Sequence, residues 1–137
     1  MKDLKAVQDL ANISLQESYS LDVYLFINQA RNCEFFVYTV GGAVVGFICG
    51  LVESPQGARI LMIAIHPDHR CKGIGSRMLE TFVNSCAKHG TKKITLEVRP
   101  SNKNAILFYK KRGFQQQGTI ENFYTDGERC INMVRYL

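Results

Sequence analysis

The stretch Ile63-Ala64-Ile65-His66-Pro67-Asp68-His69-Arg70-Cys71-Lys72-Gly73-Ile74-Gly75-Ser76-Arg77-Met78-Leu79 decides how the rest of the chain is read. It closes an almost unbroken apolar run from Arg59 to Ile65, the pattern of a strand buried on both faces. Pro67 and Asp68 end that strand. From Gly73 onward the apolar residues fall at Ile74, Met78, Phe82 and Cys86, with Leu79 and Val83 beside them, which is the spacing of a helix face. Arg70-Cys71-Lys72-Gly73-Ile74-Gly75 therefore lies where a strand hands over to a helix N-terminus. Backbone N–H groups there lack intrahelical partners, and the helix dipole favours an anion. Gly73 and Gly75 let a phosphate approach the backbone, and Arg70 and Lys72 add positive charge.

Two familiar phosphate loops do not fit. A dinucleotide fingerprint needs a third glycine where Met78 stands, and a Walker A loop needs a Gly-Lys-Ser/Thr tripeptide, which is absent. The arrangement present is Arg-x-x-Gly-x-Gly after a strand ending in a short apolar triplet. In that form it resembles the acetyl-CoA motif of the GNAT acetyltransferase superfamily. The plain alternative is a helix start with ordinary glycines.

Composition sets the frame. A chain of 137 residues has the length of one domain and is long enough to bury a core. With 46% hydrophobic and 21% charged residues it is ordinary globular material. No apolar run approaches the roughly 20 residues of a membrane span, and no secretory leader is evident, so the expectation is a cytoplasmic protein without membrane attachment. The five cysteines (Cys33, Cys49, Cys71, Cys86 and Cys130) are odd in number and form no Cys-x-x-Cys pair, which predicts reduced thiols and no zinc cluster. The net charge of +5 is spread along the chain with no recognised nucleic-acid module, so no nucleic-acid partner is expected. His66 and His69 lie near Cys71, but their spacing matches no familiar zinc site, and no metal is expected. Cys71 has no paired His–acid arrangement to make it a nucleophile.

In chain order, Leu4, Val7, Leu10 and Ala11 mark one face of a first helix that ends near Ser18-Tyr19-Ser20. A second runs from about Leu21 to Ala30, with Tyr24 and Ile27 on its apolar side. Glu34–Val40 and Ala43–Val52 read as strands joined by a Gly41-Gly42 hairpin turn. Ser54-Pro55-Gln56-Gly57 turns into the strand that leads to the cradle. The cradle helix stops at Lys88-His89-Gly90. Lys93–Arg99 alternates, with Ile94, Leu96 and Val98 on one face and Thr95, Glu97 and Arg99 on the other. Ser101 or Asn102 can cap a helix from about Asn104 to Arg112, and Phe114–Ile120 and Arg129–Tyr136 are the last strands, with a turn at Asp126-Gly127. Strand, helix and strand after the cradle predict a parallel crossover. The expected fold is a single α/β domain with a mixed, mostly antiparallel sheet, a parallel central strand pair and about four helices.

Leu96-Glu97-Val98-Arg99, Ser101-Asn102, Ala105, Tyr109 and Gly113-Phe114 resemble the RimI branch of that superfamily, the protein N-terminal α-amine acetyltransferases. Asn122-Phe123-Tyr124 with Asp126-Gly127-Glu128 resembles the branch's tyrosine-rich loop. The likeness covers about Phe35 to the end of the chain. The usual first strand looks short or absent, because the chain opens almost directly at Asp3-Leu4. Glu128-Arg129-Cys130 replaces the branch's usual Glu-Asp-Ala, which bears on the shape of the acceptor groove.

The resemblance implies an N-acetyltransferase in which an amine attacks acetyl-CoA directly in a ternary complex, with a protein or peptide N-terminus as acceptor and no metal, in a monomer or weak homodimer. The pyrophosphate would rest on the amides of Arg70, Cys71, Lys72, Gly73, Ile74, Gly75 and Ser76. The pantetheine would lie along the strand edge at Ile63, Ala64 and Ile65, and Asn102 would contact CoA. Glu97 is the candidate general base and Tyr109 the candidate acid for the leaving thiolate, while Tyr24, Phe123 and Tyr124 would meet the acceptor. Each has a plain alternative. Glu97 can instead pair with Arg99 or a lysine, Tyr109 can be a core aromatic, Asn102 a helix cap, and Phe123 and Tyr124 edge aromatics. Other functions remain open at this level: acetylation of a small amine such as a polyamine, or a non-catalytic acyl-CoA-binding module.

Overall fold

The computed structural model describes residues 3–14, 20–53 and 56–137. Its elements are α1 (Leu4–Ser14), α2 (Leu21–Gln29), β1 (Cys33–Val40), β2 (Ala43–Val52), β3 (Gly57–Ile65), a 3-10 turn (Pro67–His69), α3 (Ile74–Lys88), β4 (Lys93–Val98), α4 (Lys103–Lys111), β5 (Gln115–Ile120) and β6 (Cys130–Tyr136). Six strands form one sheet in the order β1-β2-β3-β4-β6-β5. β3 and β4 are parallel at its centre and every other pair is antiparallel. The expected single domain, mixed sheet and four α-helices are therefore what is found. The expected end of the first helix and part of the turn before β3 lie outside the described residues. Among the described residues no strand precedes α1, and β1 forms one edge of the sheet.

Two cores sandwich the sheet. On one face α3 and α4 bury Met78, Leu79, Phe82, Cys86 and Tyr109 against Ile48, Ile60, Ile94 and Leu96. On the other, Leu4, Val7, Leu10 and Ala11 of α1 and Tyr24 and Ile27 of α2 pack on Phe47, Cys49, Met62 and Ala64. The unbroken apolar run of β3 serves both. Strict alternation would put Ile60, Met62 and Ala64 on one face, yet Ile60 belongs to the first core and the other two to the second. The register explains it: Cys49 pairs with Met62 and Gly50 with Ile60, leaving Leu61 as an extra residue in a β-bulge. The bulge flips the faces of β3 halfway along.

The bulge also requires a close approach at Gly50, where a Cβ would stand 2.3 Å from the Arg59 carbonyl oxygen and 2.6 Å from Cζ of Phe82. Gly50→Ala is therefore expected to lower the unfolding free energy by at least about 1–3 kcal/mol through overpacking. Urea unfolding measures this directly, and an unchanged midpoint would contradict the packing described.

Candidate active site

β3 and β4 pair only at Gly57↔Lys93, Ala58↔Ile94 and Arg59↔Thr95. Beyond that rung β3 continues on β2 as far as Ile65, and β4 continues on β6 as far as Val98. The two inner edges thus part like a fork, with the bulge at Leu61 bending β3 just where the pairing stops. The gap is a cleft of about 590 Å³. Ile60–Ile63 of β3 and Leu96–Val98 of β4 face it, with Asn102, Ala105 and Tyr109 at the α4 end and Val23, Ile27, Phe123 and Tyr124 around the other side. Backbone groups along the open edge of β3 are available to an extended ligand, as at any sheet edge.

The cradle lies at the end of β3. The Ile65 carbonyl accepts a hydrogen bond from Arg70 Nε at 3.2 Å, which folds the loop back onto the strand it leaves. Cys71 and Gly73 both have positive φ, 63° and 81°, and Gly73 immediately precedes α3. Successive turns of this kind present several N–H groups to one side, and the first turn of α3 adds its own. Arg70, Cys71, Lys72 and Gly73 are exposed, while Ile74 and Gly75 are buried. A Cβ on Gly75 would approach Ile65 Cδ1 to 3.0 Å and the Phe108 ring to 3.1 Å, so α3 begins in tight contact with the end of β3 and with α4. Ile63–Ile65 and the cradle consequently form one continuous surface, running from the open strand edge to the start of α3. Asn102 caps α4, its side-chain oxygen accepting from Ala105 N at 3.2 Å, and it also borders the cleft.

Glu97 stands on the α1/α2 face of β4, where its carboxylate is gripped by Arg59 across the fork. Arg59 Nε donates to Oε2 at 3.1 Å, and Nη2 lies 2.9 Å from Oε1. Its partner is thus Arg59, whereas the sequence suggested Arg99 or a lysine. Tyr109 is buried among Phe108 and Phe114, both edge-on to its ring. Burial, and then the neighbouring Tyr124, pushes its phenol well above the ordinary value, so it keeps its proton throughout the neutral range. Burial likewise pushes Tyr124 up to about 12, with Cys130 the next cause.

Arg99 is the hub of the cleft's far wall. It is 9% exposed, and its Nη1 donates to both oxygens of Asp126, at 3.2 and 2.9 Å, and to Glu128 at 2.9 Å. Its guanidinium lies 4.0 Å over the Tyr124 ring. The turn is closed by Gly127 N donating to the Tyr124 carbonyl at 2.9 Å and Glu128 N to Asp126 Oδ1 at 3.0 Å. The Glu128 amide and then the Arg99 guanidinium hold the Asp126 carboxyl below its usual range. A buried arginine with two carboxylates and an aromatic face fastens the loop 121–129 to the end of β4.

The structure brings together Glu97, Tyr109, Asn102, Ile63, Phe123 and Tyr124 around one cleft, with Ala64, Ile65 and the cradle in continuation. Tyr24 is placed elsewhere: fully buried and edge-on to Phe47, it belongs to the α1/α2 core, and α2 meets the cleft through Val23 and Ile27 instead. Arg59 and Arg99 were not singled out as site residues from sequence, because a lone arginine in a strand carries no sign of its partner. Among the described residues no group of three or more His, Cys, Asp or Glu could hold a metal ion. All five cysteines are free thiols, and no described helix is long and apolar enough to cross a membrane.

A splayed parallel pair with a glycine-bearing helix start at its end makes a cleft open along one strand edge. The Acetyltransferase (GNAT) family matches residues 4–114, and this chain belongs to that family; it is an N-acetyltransferase. The N-alpha-acetyltransferase of Saccharolobus solfataricus is 30% identical over 151 residues, covering 100% of this chain and 89% of its own. The crystal structure of Ard1 from Thermoplasma volcanium superposes with a TM-score of 0.95 at 38% identity, over 99% of this chain and 92% of that one. The ribosomal-protein-S18-alanine N-acetyltransferase of Escherichia coli gives 0.89 at 29% identity, over 99% and 88%.

Removing the loop's anchor is expected to disturb one side of the cleft alone. Arg99→Met leaves two carboxylates facing each other and frees Tyr124, so KM for an amine acceptor is expected to rise about tenfold or more while acetyl-CoA affinity changes less than about twofold. Steady-state kinetics with each substrate varied in turn checks this. Equal loss for both substrates would show that the loop is not a separate acceptor wall.

Proposed function

We propose that this enzyme transfers acetyl from acetyl-CoA to the α-amine at a protein or peptide N-terminus, by direct attack within a ternary complex. The observation that carries the reading is the fork. It leaves the inner edge of β3 open to the pantetheine arm, with the cradle at one end, Glu97 on the acceptor side and Tyr109 on the α4 side. Relatives named for N-alpha and ribosomal-protein-alanine acetylation support the acceptor class.

The chemistry asks little of the base. A protein α-amine has a pKa of about 7.7–8.0 against about 10.4 for lysine, so near neutrality it gives up its proton readily. Glu97 takes that proton, directly or through one water, as the amine nitrogen bonds to the thioester carbon. Amides at the end of β3 steady the negative charge on the carbonyl oxygen. The carbon–sulfur bond then breaks, Tyr109 gives its phenolic proton to the departing sulfur, and the proton held on Glu97 returns to the phenolate through water, so both groups end as they began. Burial keeps the phenol protonated through the neutral range, so it is a donor when the sulfur departs.

A polyamine acceptor fits less well, because its binding needs acids without a cation of their own. In this cleft Glu97 is bonded to Arg59, and Asp126 and Glu128 share Arg99. The deciding experiment offers acetyl-CoA with free N-terminal peptides varied at their first residues, with spermidine and an N-terminally blocked lysine peptide as controls. Turnover is expected only on the free N-termini, with kcat lowered about 10²–10⁴-fold by Glu97→Gln and by Tyr109→Phe. Turnover confined to spermidine or to lysine would overturn the α-amine reading.

A further inference from the structure

We propose that Arg59 is a positioning residue for catalysis, which fixes the Glu97 carboxylate in the plane from which it accepts the acceptor's proton. The inference rests on the reading of Glu97 as the base. Arg59 occupies the last rung at which β3 and β4 still pair, opposite Thr95, and Glu97 lies two residues further along β4. On that side Glu97 has lost its β3 neighbour, so backbone pairing between the two strands no longer fixes where its side chain goes. Arg59 replaces that constraint. Its Nε and Nη2 meet one carboxylate oxygen each, a planar two-point grip that fixes both the position and the rotation of the carboxylate.

The pair stands inside the cleft. Both residues line it, and the Glu97 side chain is only 12% exposed against 34% for Arg59. Each carboxylate oxygen spends one lone pair on Arg59 and keeps another for a water or an amine. A base held this way meets the tight tolerance of proton transfer without first losing rotamer freedom. Lysine cannot substitute fully, because an ammonium is a point donor without the planar fork. Arg59 is also the one charged residue in the run from Ala58 to Ile65, on a strand otherwise given over to two apolar cores.

The test is a kinetic cycle of wild type, Arg59→Met, Glu97→Gln and the double variant, with saturating acetyl-CoA and the best acceptor found for the wild type. Arg59→Met is expected to lower kcat about tenfold or more while KM for the acceptor stays within about twofold, and Arg59→Lys to recover part of the loss. In the Glu97→Gln background the same change is expected to alter kcat less than about twofold, since a residue acting through Glu97 has nothing left to position. Equal losses in both backgrounds would assign the pair a merely structural role and overturn the proposal. So would a rise in acceptor KM at constant kcat, which marks direct contact with the acceptor, or a Glu97→Gln variant as active as wild type. If the wild type acetylates only a small amine, the α-amine reading fails, yet the cycle run on that amine still decides the role of Arg59.

Discussion

Everything in this protein depends on two parallel strands ceasing to pair. A buried strand edge normally finds backbone partners, because an unmet N–H or C=O away from water is costly. Here β3 and β4 share three rungs and then separate, leaving backbone groups of β3 beside a cleft. Each strand stays anchored along its outer edge, β3 on β2 and β4 on β6, so the inner edges diverge without either strand leaving the sheet. The bulge at Leu61 supplies the bend, and Gly50 supplies the room for it against Phe82. An open edge that a ligand can satisfy is a binding site produced by the fold itself.

The two cores keep the fork from closing. Phe82 and Leu79 of α3 are fully buried against one face, and Phe47 and Tyr24 against the other, so β3 is held from both sides. Losing a side chain of this size from such a core costs about 2–5 kcal/mol. Ion pairs set the fork's details. Arg59–Glu97 spans it at its base, and Arg99 fastens the loop that lines its far wall. Arg99 and Glu97 are the shielded members, and both interactions are made by arginine, whose planar guanidinium serves several acceptors at once.

Much of this was legible in the residues. Gly41-Gly42 marked the hairpin, the alternation through Ile94, Leu96 and Val98 gave β4 its two faces, and Arg70 to Gly75 marked the start of α3. Asn102 was one of two possible caps and proved to be the cap. What stayed hidden depends on contacts distant in the chain. Arg59 and Glu97 are 38 residues apart, and nothing local to either names the other. The bulge is a property of the β2–β3 register, so the sequence of β3 alone shows an apolar run without its change of face. Tyr24 shares the apolar side of α2 with Ile27, and helical spacing cannot tell which of the two reaches the cleft and which stays wholly in the core.

The most direct test is amide hydrogen exchange across Ile60–Ser76, with and without acetyl-CoA. Slower exchange is expected on binding along Ile63–Ile65 and through Cys71–Ser76, because the ligand completes the open edge and the helix start. Protection confined to other segments, with this stretch unchanged by bound acetyl-CoA, would contradict that expectation.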